Sequence, residues 1–107
     1  MAPQKLILRK IKMKIRLPWD NSAYEIPYDK DVSIGRDRNN LLIVPGTYGD
    51  VGRKHAVIRR QGANWVISDL ESTNGTYVNN VKIITETPIS PGHKIRLAES
   101  LEIEVIE

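Results

Sequence analysis

Residues 69–79 read Asp69-Leu70-Glu71-Ser72-Thr73-Asn74-Gly75-Thr76-Tyr77-Val78-Asn79. An Asn-Gly pair between two β-type runs signals a tight turn, because both residues tolerate positive φ. The hydroxyls of Ser72, Thr73 and Thr76 can bond nearby backbone. Taken by itself, the segment is a hairpin loop between runs at 65–69 and 76–78. Working outward, further short runs rich in β-formers lie at 23–27, 32–35, 41–44, 55–60, 81–84, 93–97 and 101–106. Turn residues separate them: Pro45-Gly46, Gln61-Gly62, Asn79-Asn80 and Pro91-Gly92. The last run alternates cleanly and turns Glu102 and Glu104 outward. No stretch shows a helical period with caps, and no repeat, low-complexity tract or linker is present. Many short strands at regular intervals predict an all-β sandwich or barrel.

The chain has 107 residues, a length that fits one unit spanning 1–107. Its 40% hydrophobic and 27% charged content is that of a soluble globular protein. Phe is absent, so the core must come from Ile, Val and Leu, which suit pleated strands. Cys is absent as well, which excludes disulfides, thiolate metal ligands and a cysteine nucleophile. His55 and His93 lack metal-ligand spacing, so neither a metal nor a cofactor is expected. No apolar run reaches the roughly 18 residues of a membrane span. The basic N-terminus has no apolar signal core, and cytoplasmic residence is expected.

The net charge of +3 is unevenly spread. Lys5, Arg9, Lys10, Lys12, Lys14 and Arg16 lie within residues 1–16, which hold no acid, whereas residues 17–107 carry ten bases against thirteen acids. Over 5–17 basic and apolar residues alternate, so Ile11, Met13, Ile15 and Leu17 face one side and Lys10, Lys12, Lys14 and Arg16 the other. A half-buried strand with a solvated lysine face explains this better than a docking strip. Aromatic stacking platforms beside the bases are absent, so nucleic-acid binding is not expected.

Three clusters with chemical potential sit in connections between strands, where a rigid scaffold can aim side chains. The first is Ile34-Gly35-Arg36, a glycine at a strand end followed by a cation. The second, Gly52-Arg53-Lys54-His55-Ala56, adds two cations beside a glycine; His55 reads as a polar brace for loop backbone. The third is the 69–79 segment. Together, in this order and spacing, they resemble the forkhead-associated (FHA) domain family. Its pattern runs glycine-arginine, then serine-x-x-histidine, then serine/threonine-x-asparagine-glycine-threonine. The resemblance covers about residues 10–106 and is most specific in Asp69–Asn79.

The resemblance implies a sandwich of two sheets with about eleven strands and the recognition loops at one end. It further implies docking of a threonine-phosphorylated protein or peptide. By the same resemblance Arg36 pairs with phosphate oxygens, for which a planar guanidinium fork is suited. Arg53 is then a second cation, Thr73 contacts the phosphorylated residue, and Asn74 grips the ligand backbone. Gly35, His55, Ser72 and Gly75 match loop-bracing positions.

One position departs from the pattern: Gly52 stands where the family has a serine that contacts the phosphate. A lost hydroxyl-to-phosphate bond is worth about 1.5–3 kcal/mol, or roughly ten- to a hundredfold in affinity. Arg53, the Gly52 N–H or Thr47 could compensate. The connection from 37 to 51 is also long and could cover the groove. These two features motivate an alternative, a phosphate-independent interaction module with a degenerate pocket. An enzyme is not expected, although His55, Asp69 and Ser72 invite comparison with a nucleophilic triad.

Overall fold

The computed structural model describes residues 13–107. Lys5, Arg9, Lys10, Ile11 and Lys12 of the expected first strand lie outside the described residues. The remainder forms eleven strands: β1 (Met13–Arg16), β2 (Ala23–Ile26), β3 (Val32–Gly35), β4 (Leu42–Ile43), β5 (Ala56–Gln61), β6 (Asn64–Asp69), β7 (Thr76–Val78), β8 (Val81–Lys82), β9 (Thr87–Ile89), β10 (Lys94–Leu97) and β11 (Leu101–Ile106). They build two sheets, β2-β1-β11-β10-β7-β8 and β4-β3-β5-β6-β9. All pairs are antiparallel except β3 with β4. The chain is an all-β sandwich: periodicity predicts a sandwich or a barrel, and the two sheets of about eleven strands are those the family resemblance implies. No helix among the described residues is long and apolar enough to cross a membrane.

The period-two pattern translates directly into burial. In β11, Leu101, Ile103 and Val105 are buried while Glu102 and Glu104 face water. Met13 and Ile15 do the same in β1. The inward residues of both sheets merge into one cluster that includes Ile34, Ile58, Ile67, Ile95 and Leu97. Burying each such side chain stabilises by about 1.5–3 kcal/mol, so the sheets form a stiff base for the loops.

Two features differ from the sequence reading. Strand β9 was not legible because Pro88 stands at its centre and donates no ladder hydrogen bond. It survives because β9 is a sheet edge, paired only with β6. The second difference concerns Asn74-Gly75, which is not a hairpin turn. β6 and β7 belong to different sheets, so residues 70–75 cross from one layer to the other. Gly75 has a φ of 89°, whereas Asn74 does not adopt positive φ. The tight turn lies four residues later, where Asn79 and Asn80, at φ of 49° and 69°, join β7 to β8.

Strand directions bring 36–41, 44–55, 70–75 and 98–100 to one end of the sandwich, together with 17–22 and 83–86. The β5–β6 hairpin turn and residues 90–93 lie at the other end.

Candidate functional site

At the loop end, the segment after β3 and the segment before β5 are laced together by backbone. Arg36 N–H donates to Gly52 O and Asp37 N–H to Arg53 O, both at 3.0 Å, and His55 N–H donates to Ile34 O at 2.8 Å. This approach is close enough to require a glycine. A Cβ on Gly35 would fall 2.6 Å from the Arg53 carbonyl carbon and 2.9 Å from Lys54 Cα. The sequence places Gly35 at a strand end; the operative constraint there is the passage of the Arg53 backbone across it. Asn40, which is buried, adds a clamp that the motifs did not reveal. Its Nδ2 donates to Asp37 O at 2.7 Å and Arg53 O at 2.6 Å.

The lacing sets Arg36 and Arg53 side by side. Together with Asp37 they line one open pocket. Arg36 is half-buried, and its Nε donates to Val51 O. That bond orients the guanidinium and leaves its terminal NH2 groups without a partner among the described residues. Arg53 is exposed, and its side chain has no partner among the described residues. Asp37 is the acid within the pocket, and its Oδ1 accepts from Asn39 N–H at 3.1 Å.

His55 is fully buried and spans two loops. Its Nδ1 accepts from Gly52 N–H at 2.8 Å, and its Nε2 lies 2.8 Å from Gly75 O. Gly52 offers only a donor and Gly75 O only lone pairs. Nδ1 is therefore the accepting nitrogen and Nε2 the donating one. One proposed rescue for Gly52 fails on this point, because its single N–H is already used inside the protein. Thr47, another proposed rescue, is exposed and does not line the pocket. The long connection does not cover the pocket either. Val44 and Val51 anchor it in the core, and Tyr48 packs on Trp19 with ring centroids 5.8 Å apart.

The 70–75 crossover is braced from within and from below. Ser72 Oγ donates to Asp69 Oδ1 at 2.6 Å and accepts from Gly75 N–H at 2.9 Å. Thr76 Oγ1 donates to the same carboxylate oxygen at 2.6 Å. Burial pushes the Asp69 carboxyl up, but the bonds from Ser72 and Thr76 outweigh it and hold it below the ordinary carboxylate value. A Ser-His-Asp relay is not formed: Ser72 bonds Asp69 directly, and the His55 proton goes to Gly75 O.

Asn74 Nδ2 donates to Asp50 O at 2.8 Å, which fastens the crossover to the 44–55 loop. Asp50 is a second residue the motifs did not reveal. Its carboxylate accepts the Glu99 and Ser100 N–H groups at 3.1 Å each, and also the Ser100 hydroxyl. The Ser100 hydroxyl bond holds that carboxyl below its usual range. Asp50 thus links the 44–55, 70–75 and 98–100 loops. Thr73, beside Asn74, is exposed, and its hydroxyl has no partner among the described residues. It does not line the Arg36–Arg53 pocket. At the opposite end of the sandwich lies an apolar pocket lined by Met13, Trp65, Ile89 and Pro91 with Glu107, and among the described residues no cation lines it.

Comparison with known proteins agrees with this geometry. The model of the FHA domain matches residues 32–98. FhaB of Mycolicibacterium smegmatis, an FHA domain-containing protein, is 30% identical over 73 residues, covering 68% of this chain and 46% of its own length. The chain therefore spans about half the length of the curated relatives it matches. A domain solved in a study of phosphothreonine-dependent FHA domain interactions superposes with a TM-score of 0.79. It is 32% identical, and the match covers 91% of this chain and 97% of that one. Mycobacterium tuberculosis EmbR, in complex with a low-affinity phosphopeptide, gives a TM-score of 0.77 at 27% identity, covering 89% of this chain and 24% of EmbR.

Proposed function

The chain belongs to the FHA domain family, and from that premise we propose that it docks a phosphothreonine-bearing segment of a partner protein. One observation carries the reading: two guanidinium groups meet in an open pocket at the loop end with no carboxylate neutralising either by ion pairing among the described residues. A phosphothreonine supplies a charge of about −1.5 to −2 and three strong acceptor oxygens. The oriented Arg36 offers its terminal N–H groups to two of those oxygens, and Arg53 adds a second cation. Holding Nε on Val51 O lowers the conformational freedom lost when the phosphate arrives.

Thr73 has a free hydroxyl for the phosphorylated residue. Asn74 keeps one N–H and its Oδ1 for the ligand backbone after bonding Asp50. In this scheme Gly35, His55, Ser72 and Gly75 hold the loops, and Gly52 contributes space where a serine would add a hydroxyl. In this reading the chain acts as one unit, by binding and not by catalysis, in the cytoplasm.

The test is calorimetry with a threonine-phosphorylated peptide and its unphosphorylated twin, against the parent chain and Arg36→Ala. Binding of the phosphopeptide alone, abolished in Arg36→Ala, is the expected result. Equal binding of both peptides would falsify the reading in favour of a phosphate-independent module.

A further inference from the structure

Away from the Arg36–Arg53 pocket, the end of β6 and the crossover meet the connection from β8 to β9 in a groove. Ser68, Asp69 and Glu71 form one wall and residues 83–86 the other, around a volume of about 370 Å³. Of its two isoleucines, Ile83 is buried, whereas Ile84 is 94% exposed. One exposed isoleucine is ordinary on a surface. Here, however, three of the five large hydrophobics exposed among the described residues, Leu70, Val81 and Ile84, lie on the 70–75 crossover and the 81–86 stretch that frame the groove.

The charge of the groove has one sign. Asp69, Glu71 and Glu86 line it, and among the described residues no base does. Two of these acids are committed within the fold. The Asp69 carboxylate accepts from Ser72 and Thr76, and Glu86 accepts from Arg59 and Gln61 at 2.9 Å each. Glu71 is exposed and has no partner among the described residues. Lys82, next to Ile83, does not reach in. A Cβ at Gly75 would fall 3.0 Å from its Cε, which places the lysine side chain over Gly75, outside the groove. Glu71 also sits at a φ of 57°, a left-handed conformation that strains a glutamate and not a glycine. Its carboxylate makes no contact that folding requires, so the fold by itself does not account for the strain.

We infer that this groove is a second docking surface, and that it takes a protein segment in which an arginine or lysine stands beside an apolar side chain. The cation meets Glu71, and the apolar side chain covers Ile84. Three carboxylates repel nucleic acid, anionic lipid and a phosphorylated residue alike, which leaves a basic protein segment as the complementary occupant. The groove shares no residue with the Arg36–Arg53 pocket, so docking here does not depend on phosphothreonine.

Amide chemical-shift titration of the full chain tests this with short unphosphorylated peptides of one backbone, whose central pair is Arg-Leu, Lys-Leu, Arg-Gln or Glu-Leu. The Arg-Leu and Lys-Leu peptides should shift the signals of residues 69–71 and 83–86 and leave those of Arg36 and Arg53 in place. Arg-Gln and Glu-Leu, which each lack one half of the match, should bind more weakly. Glu71→Gln should weaken Arg-Leu binding about two- to fivefold, the scale of an exposed ion pair. Ile84→Ser should weaken it about tenfold, the scale of one partly buried apolar side chain. Both side chains are exposed, so the urea midpoints of the two variants should match that of the parent. Equal binding of the Glu-Leu and Arg-Leu peptides, unchanged affinity in either variant, shifts centred on Arg36 and Arg53, or no shift with any peptide would each overturn the inference. None of these results bears on phosphothreonine docking.

Discussion

Restoring a hydroxyl at position 52 should strengthen phosphopeptide binding, and the structure supplies the terms of the argument. Gly52 does not adopt positive φ. A Cβ built there meets nothing nearer than His55 Nδ1 at 3.5 Å and Lys54 O at 3.7 Å, which is ordinary contact. A side chain therefore fits without moving the loop or displacing the bond from Gly52 N–H to His55. A serine hydroxyl donating to phosphate makes a hydrogen bond to a charged acceptor, worth about 1.5–3 kcal/mol. At about 1.4 kcal/mol per tenfold, Gly52→Ser should tighten binding roughly ten- to a hundredfold. Removing a glycine also restricts the unfolded chain, which by itself stabilises the protein by about 0.4–1 kcal/mol. Gly52→Ala carries that backbone effect without the hydroxyl and is the proper reference. Calorimetry against one phosphothreonine peptide should rank serine above alanine, with alanine close to the parent. Indistinguishable affinities for the serine and alanine variants would refute the reasoning, because the position would then not face the phosphate.

The remaining predictions concern the scaffold and the local charge. Gly35→Ala drives a methyl group into the Arg53 backbone and strains the contacts made there by Asp37 and Asn40. Overpacking of this kind costs about 1–3 kcal/mol in urea denaturation, and phosphopeptide affinity should fall with it; an unchanged midpoint would show that the two segments can separate freely. Asp37→Asn keeps the acceptor for Asn39 N–H but removes from the pocket a negative charge that repels the phosphate. Affinity should rise about two- to fivefold, the scale of an exposed charge interaction, and a decrease would mean that Asp37 orients a guanidinium instead. The Asp69 carboxyl titrates below its ordinary value when folded. Its contribution is therefore fully present above about pH 4, the unfolded value, and is lost as pH falls through the lower folded value. Asp69→Asn should lose less stability than the parent between neutral pH and about pH 3; parallel losses in both chains would contradict the assignment.

How much of this was legible in the residues differs from element to element. Strand β11 was plain because alternation between Leu101, Ile103, Val105 and the two glutamates is written within six consecutive positions. The three loop clusters were legible for a similar reason, since glycine-arginine, histidine and Ser-Thr-Asn-Gly-Thr are local signatures. β9 was hidden because proline opposes a strand everywhere except at an edge or similar position, and whether a strand is an edge depends on what fails to pair with it. The 70–75 segment was misread as a hairpin because Asn-Gly describes backbone freedom and says nothing about which sheet each flanking run joins. Asn40 and Asp50 carried no signal at all. Asn40 reaches across to Arg53, 13 positions away, and the Asp50 carboxylate to Glu99 and Ser100, 49 and 50 positions away.

The sequence by itself determined the β class, the buried faces of β1 and β11 and the chemical types available at the loops, because periodicity and side-chain chemistry are properties of neighbouring residues. Only the tertiary structure decided that Arg36 and Arg53 share a pocket, that the Gly52 N–H is consumed by His55, and that Asp50 fastens three loops together. Those outcomes depend on contacts between segments far apart in the chain. They become available only when burial of the two inner faces brings the ends of the strands to one rim.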